Sequence, residues 1–233
     1  MKQRYTHLFF DLDHTLWDTD RNAAESLQEM FEETELAKRG IPDFTRFHQT
    51  FREHNEQLWH LYAENKTDKE TVRLHRFRQT LLDFGIEDEE LVHHLAEMFV
   101  SRTPHKKHLL AGAIALLEQV SSIYHLSIIT NGFREAQYTK MQASGLAPYF
   151  RQVIVSEEVG CHKPDPAIFQ HAIHLSGAAS AADCMMIGDT FNTDVQGALN
   201  AGVKAVHLCS DDTAPTHENV IRIGTLGELL THL

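Results

Sequence analysis

Two carboxylates stand two positions apart in Asp11-Leu12-Asp13, behind Leu8-Phe9-Phe10 and ahead of His14-Thr15-Leu16. If the chain bends just past Asp11, both can reach one substrate. One can attack, while the other trades protons with the leaving group and then with water, as covalent carboxylate catalysis requires. Taken alone, the stretch reads equally well as a strand ending in an Asp-containing turn.

Three later loops carry residues of suitable type. In Ile129-Thr130-Asn131-Gly132 a hydroxyl and an amide can donate to phosphate oxygens, and the glycine lets the backbone approach closely. In Gly160-Cys161-His162-Lys163-Pro164-Asp165-Pro166 the lysine precedes a stiff start to a helix. A lysine held there is a fixed point charge, able to neutralise a phosphoryl group and an attacking carboxylate together. In Ile187-Gly188-Asp189-Thr190-Phe191-Asn192-Thr193-Asp194 one acid ends an apolar run and a second follows five residues on. Each has a plainer reading by itself: a common turn, a solvated lysine, and for Asp194 a helix-start acid. Carboxylates converging on Asp11 repel one another without a cation between them. Hard oxygen ligands suit Mg2+.

The elements that must position these residues follow from the apolar pattern. Leu8 to Phe10 reads as a buried strand of a parallel sheet, with Asp11 at its carboxyl end, where open α/β sheets bind ligands. Helical spacing then persists for a long way. A first helix is expected over 18–39, with Ala23, Leu27, Met30 and Phe31 in register. A second carries Phe44, Phe47, Phe51, Leu58 and Tyr62. A third starts from Asp68 as N-cap and stops at Gly85, and a fourth holds Leu91, Leu95 and Met98. The region 17–103 therefore reads as a helical insertion whose stripes are bundle core, although Trp17, Trp59 or Tyr62 could face a ligand. From 104 the pattern alternates. Helices are expected over 111–121, 134–144, 166–175, 193–201 and 225–230, and strands over 125–130, 151–156, 184–187 and 203–208. Strands alternating with helices imply an α/β, doubly wound parallel sheet built from 1–16 and 104–233.

Composition narrows the function. Hydrophobic residues make up 42% and charged residues 23%, the profile of a soluble globular chain. The net charge of -12 argues against a nucleic-acid polymer or an anionic membrane as partner, while leaving room for a small anion at a local positive site. No apolar run approaches membrane-spanning length, and the first seven residues show no signal-peptide pattern. The cysteines, Cys161, Cys184 and Cys209, lack zinc-type spacing and are odd in number, so a reducing cytoplasm is expected. The seventeen histidines, including His93-His94 and His105 to His108, read mainly as solvated surface groups.

Asp-x-Asp, then Thr, then Lys, then Gly-Asp with a later Asp, each behind a strand, resembles the haloacid dehalogenase (HAD) superfamily in its phosphatase branch. The resemblance spans nearly the whole chain. It implies a Rossmann-like core with an inserted type 1 helical cap that closes over the site and reads the leaving group. It further implies Asp11 as nucleophile, forming an aspartyl-phosphate, and Asp13 as general acid and base. Thr130, Asn131 and Lys163 would hold the phosphoryl group. Mg2+ would be bound by Asp11, Asp189 and the main-chain oxygen of Asp13, with Asp194 at or behind the metal shell. The first, second and fourth motifs look most like the pyrimidine 5'-nucleotidase group, whose substrate is a nucleoside monophosphate; such an enzyme would act as a monomer or homodimer. Phosphoglycolate or sugar-phosphate phosphatases and a phosphomutase share the same four motifs. A non-catalytic phosphate-binding protein is the alternative of another class, against which stands the presence of every charged group of the set.

Overall fold

The computed structural model describes residues 5–211, 217 and 219–233. In chain order the elements are β1 (His7–Phe10), α1 (Thr19–Glu33), α2 (Phe44–Ala63), α3 (Lys69–Asp83), α4 (Glu89–Arg102), α5 (Ala113–Val120), β2 (His125–Thr130) and α6 (Arg134–Ala143). There follow β3 (Gln152–Val155), α7 (Ser156–Val159), α8 (Pro166–Ser176), β4 (Cys184–Gly188), α9 (Gln196–Asn200), β5 (Lys204–Leu208) and β6 (Val220–Ile223). The chain forms two compact units, Met1–Thr19 with Lys107–Leu233, and Asp20–Lys106.

In the first unit the strands pair in the order β3-β2-β1-β4-β5-β6, all parallel. This doubly wound order has its switch point beside β1, between the two halves of the sheet. Both faces are covered. Leu8 and Phe10 join one apolar cluster and Phe9 another, the alternation a strand imposes. Covering both faces is why β1 and β4 read as unbroken apolar runs. Register brings the site residues level: Phe10 lies opposite Ile128 of β2 and Ile187 of β4, so Asp11 and Gly188 leave the sheet together.

The second unit is helical. Its core gathers Leu27 and Met30 of α1, Phe47 and Phe51 of α2, Phe77 of α3 and Leu95 of α4. Asp43, Asp68 and Asp88 cap α2, α3 and α4, each accepting a main-chain N–H three residues on. The acidic run before α4 thus supplies its N-cap.

Several boundaries differ from the sequence reading. The first helix stops at Glu33, not at 39; Glu35 turns left-handed at φ +52°, and Leu36 folds back into the core on a short 3-10 turn, Leu36–Arg39. Trp17 belongs to the sheet unit, where it is 1% exposed and part of the core. The sequence reading contains no β6 and no α7. The 193–201 helix opens as a wide π turn, Phe191–Val195, ahead of α9, and the final helix is a 3-10 stretch, Leu226–Thr231.

Candidate active site

The bend that two carboxylates at this spacing need is present. Asp11 N–H still donates to Ile187 O of β4 at 2.9 Å, so Asp11 ends the sheet. The chain then coils back: Leu16 and Trp17 N–H both donate to Leu12 O, at 3.0 and 2.9 Å. His14 sits at φ +54°, the left-handed region that costs a side-chain-bearing residue energy and recurs at functional sites. Its N–H is held by Thr19 Oγ1 at 3.0 Å, and that hydroxyl donates to Asp13 Oδ1 at 2.9 Å.

Lys163 is 2% exposed and its ammonium donates to Asp11 Oδ1 and to Asp194 Oδ1, both at 2.6 Å. Buried ammonium and buried carboxylates stabilise one another only when paired in this way. The loop carrying the lysine is fixed by Asn131: its Nδ2 donates to Lys163 O at 2.9 Å, and its Oδ1 accepts from Lys163 N at 2.8 Å. One of the two Asn131 amide N–H groups and the amide oxygen are thus engaged with the lysine main chain. Asp194 Oδ2 accepts from Thr190 N at 3.0 Å. A Cβ on Gly188 would collide with the Asp194 side chain, so the glycine before Asp189 is what admits Asp194. Asp189 accepts from Thr15 Oγ1 at 3.1 Å and from Thr190 Oγ1 at 3.2 Å. His207 on β5, 3% exposed, contacts the Asp189 carbonyl through Nε2 at 2.8 Å; as the carbonyl only accepts, that nitrogen carries the proton.

Carboxylate oxygens of Asp11, Asp189 and Asp194 all lie within 4.8 Å of one another. Burial pushes the Asp11 carboxyl well above its ordinary range against the pull of Lys163, and repulsion from Asp194, Asp189 and Asp13 adds to the rise. Burial, then Asp194, raises Asp189 to about 6. Three acids against one ammonium leave a deficit of positive charge amid hard oxygen donors. The donor set fits a magnesium ion.

Asp13 is different. Burial works to raise its carboxyl, but the Lys140 ammonium and hydrogen bonds from Lys140 and Gln137 outweigh it and bring it to about 2. Lys140 Nζ donates to Asp13 Oδ1 at 2.6 Å and lies 4.5 Å from the centre of the Trp17 ring. Gln137 Nε2 donates to Asp13 Oδ2 at 2.8 Å and to Thr130 Oγ1 at 2.6 Å.

Asp11, Lys163 and Asp194, all buried, thus form one cluster with the half-buried Asp189, and Asp13 and Thr130 are joined through Gln137. Sequence reasoning missed His207, Lys140 and Gln137. His207 carried no motif, and it is buried where most histidines were read as surface. Lys140 and Gln137 look like the polar face of an ordinary helix; their spacing of three was the one available signal.

The sequence pattern of the haloacid dehalogenase-like hydrolases matches residues 5–202. Pyrimidine 5'-nucleotidase PynA of Streptococcus pneumoniae is 31% identical over 221 residues, covering 92% of this chain and 90% of PynA. N-acylneuraminate-9-phosphatase of Rattus norvegicus is 31% identical over 216 residues, covering 87% of this chain and 81% of that protein. The crystal structure of HAD-hydrolase YfnB from Bacillus subtilis, bound to magnesium, superposes with a TM-score of 0.88 at 28% identity, over 99% of each chain. This chain belongs to the haloacid dehalogenase-like hydrolases. Within that class it is an enzyme of the phosphatase kind.

Proposed function

We propose that the chain is a magnesium-dependent phosphomonoester hydrolase that works through an aspartyl-phosphate on Asp11, with a pyrimidine nucleoside 5'-monophosphate as its substrate. The observation that carries the chemistry is the contact of one buried ammonium, Lys163, with both Asp11 and Asp194 at 2.6 Å. An Asp11 oxygen bonds to phosphorus as the ester P–O bond breaks; Asp13, ionised at rest, first takes the proton carried by the incoming phosphomonoester monoanion and hands it to the departing oxygen. Asp13 then takes a proton from water as the water oxygen bonds to phosphorus and the Asp11–phosphorus bond breaks. Lys163 and the Thr130 hydroxyl hold the equatorial oxygens, and Asn131 keeps Lys163 in place. Asp11, Asp189, the main-chain oxygen of Asp13 and Asp194 are the residues that would hold magnesium. When bound, the ion supplies positive charge against the phosphoryl oxygens. Most of the acceleration then comes from positioning and electrostatics.

The nucleotide reading rests on the likeness to PynA across nearly both chains. The equal identity to N-acylneuraminate-9-phosphatase favours a sugar-acid phosphate as the second reading. The helical unit, Asp20–Lys106, is where we place the choice of leaving group. A phosphate-release screen with magnesium over uridine, cytidine, thymidine and adenosine monophosphates, sugar phosphates, phosphoglycolate and N-acylneuraminate 9-phosphate tests both. The pyrimidine monophosphates should give the highest kcat/KM. A sugar-acid or sugar phosphate ahead of them would move the assignment to the second reading.

A further inference from the structure

We propose that Gln137 is a positioning residue that couples the acid and base Asp13 to the phosphate donor Thr130, a role that rests on the phosphatase reading above. Gln137 is fully buried in the sheet unit, on the first turns of α6. Its Nε2 carries two protons, and both are spent inside the site: one on Asp13 Oδ2 at 2.8 Å, one on Thr130 Oγ1 at 2.6 Å. The orientation of the amide is fixed by chemistry, because its oxygen turned toward the ionised Asp13 would meet a second acceptor.

The consequence falls on Thr130. Its hydroxyl oxygen accepts from Gln137 and also from Gly132 N at 3.0 Å. A hydroxyl has two acceptor lone pairs and one proton. With both lone pairs filled, the proton is left to donate, which is what a phosphoryl oxygen requires. Gln137 therefore sets the direction of Thr130 and the placement of one Asp13 oxygen at the same time.

A second observation shows that space is reserved for this amide. Gly132 has an ordinary φ, so no backbone demand explains a glycine there. A Cβ at that position would overlap the Gln137 amide group. The glycine of Thr-Asn-Gly thus makes room for a side chain of α6.

The test compares wild type with Gln137→Met, which keeps length but removes both donors, and Gln137→Glu, which keeps shape but offers Thr130 an acceptor and so draws its proton away from the substrate. Three quantities are read: kcat/KM for an alkyl phosphomonoester, kcat/KM for p-nitrophenyl phosphate, and inhibition by orthovanadate. General acid catalysis is worth about 10²–10⁴ in rate and matters most for a basic leaving group. Q137M should therefore lose about 10–100-fold with the alkyl ester. The loss with p-nitrophenyl phosphate, whose leaving group departs readily without a proton, should be several-fold smaller. Both variants should bind vanadate more weakly, Q137E more so than Q137M. Equal losses with the two esters and unchanged vanadate inhibition would reduce Gln137 to packing and overturn the inference. If one variant fails to fold, as judged by circular dichroism, the other carries the same vanadate comparison, and its unchanged inhibition is equally decisive. A wild-type protein inactive on every phosphomonoester would remove the phosphatase reading, and this inference with it. An active wild type whose variants show no such pattern would overturn the inference alone.

Discussion

Asp13 and Asp189 carry opposite pH signatures, because donors outweigh burial at Asp13, while burial and then repulsion from Asp194 prevail at Asp189. Asp13 falls from an ordinary 3.8 to about 2, so its ionised form favours the fold. That contribution is complete above about pH 4 and disappears as pH falls through 2. Asp189 rises from 3.8 to about 6, so its ionised form disfavours the fold, and protonation between about pH 6 and 4 stabilises it. Without magnesium, thermal stability should therefore gain from this group as pH drops from about 7 to about 5. Magnesium must bind the deprotonated carboxylates, so its affinity should fall over the same interval. Thermal melts with and without magnesium across this range check both; affinity flat through pH 6 would count against Asp189 as a ligand. At this scale the charged residues were legible in the sequence because an acid directly at a strand end, after glycine, has few structural excuses. The residues that hold them were not. Asn131 was read as a phosphate donor; one of its two amide N–H groups and its oxygen also hold the Lys163 main chain, a use that residue type does not reveal.

The elements work by close approach, and glycine is where that shows. Gly188 ends β4 and lets Asp194 fold back from the following turn. Gly188→Ala should displace Asp194, loosen its hold on Lys163 and cost about 1–3 kcal/mol of stability, with a matching loss of phosphatase activity. Gly227→Ala, where an added Cβ meets open space, should stay within about 0.5 kcal/mol. Chemical denaturation of the two variants beside wild type decides the point. The buried strands β1, β2, β4 and β5 were readable as short apolar runs bounded by polar residues, and α8 from Pro166 at its first position, with Asp165 accepting from Ala167 N at 2.9 Å. Strand β6 was not readable: it is four residues at the sheet edge, with Arg222 exposed between two isoleucines, and periodicity over so few positions carries little. The π turn was hidden too, since local sequence gives an α-helix and a wide first turn the same pattern.

Across the whole molecule, each of the two units has an apolar core of its own, and the proposed chemistry lies in one of them. The residues proposed to bind phosphate and metal all lie in Met1–Thr19 and Lys107–Leu233, while Asp20–Lys106 has a core of its own in which Phe51 and Phe77 rings lie 4.9 Å apart. Phe77→Ala should destabilise the helical unit by about 3–5 kcal/mol. Magnesium binding, followed by titration calorimetry, should survive that change, since no proposed ligand comes from the helical unit. The sequence reading set the helical insertion at 17–103, from the switch out of strand–helix alternation into unbroken helical spacing, whereas the compact helical unit is Asp20–Lys106; Trp17, as apolar as the helical residues that follow, carries no boundary signal. The most direct test of the account is to mix enzyme, magnesium and a turned-over phosphomonoester, quench in acid within the first turnovers, and map the phosphoryl group by peptide mass spectrometry. The account predicts one phosphoryl group on the peptide containing Asp11, absent in Asp11→Asn, which should also release no phosphate while keeping its fold. A phosphoryl group on another residue, or full turnover by Asp11→Asn, would contradict it.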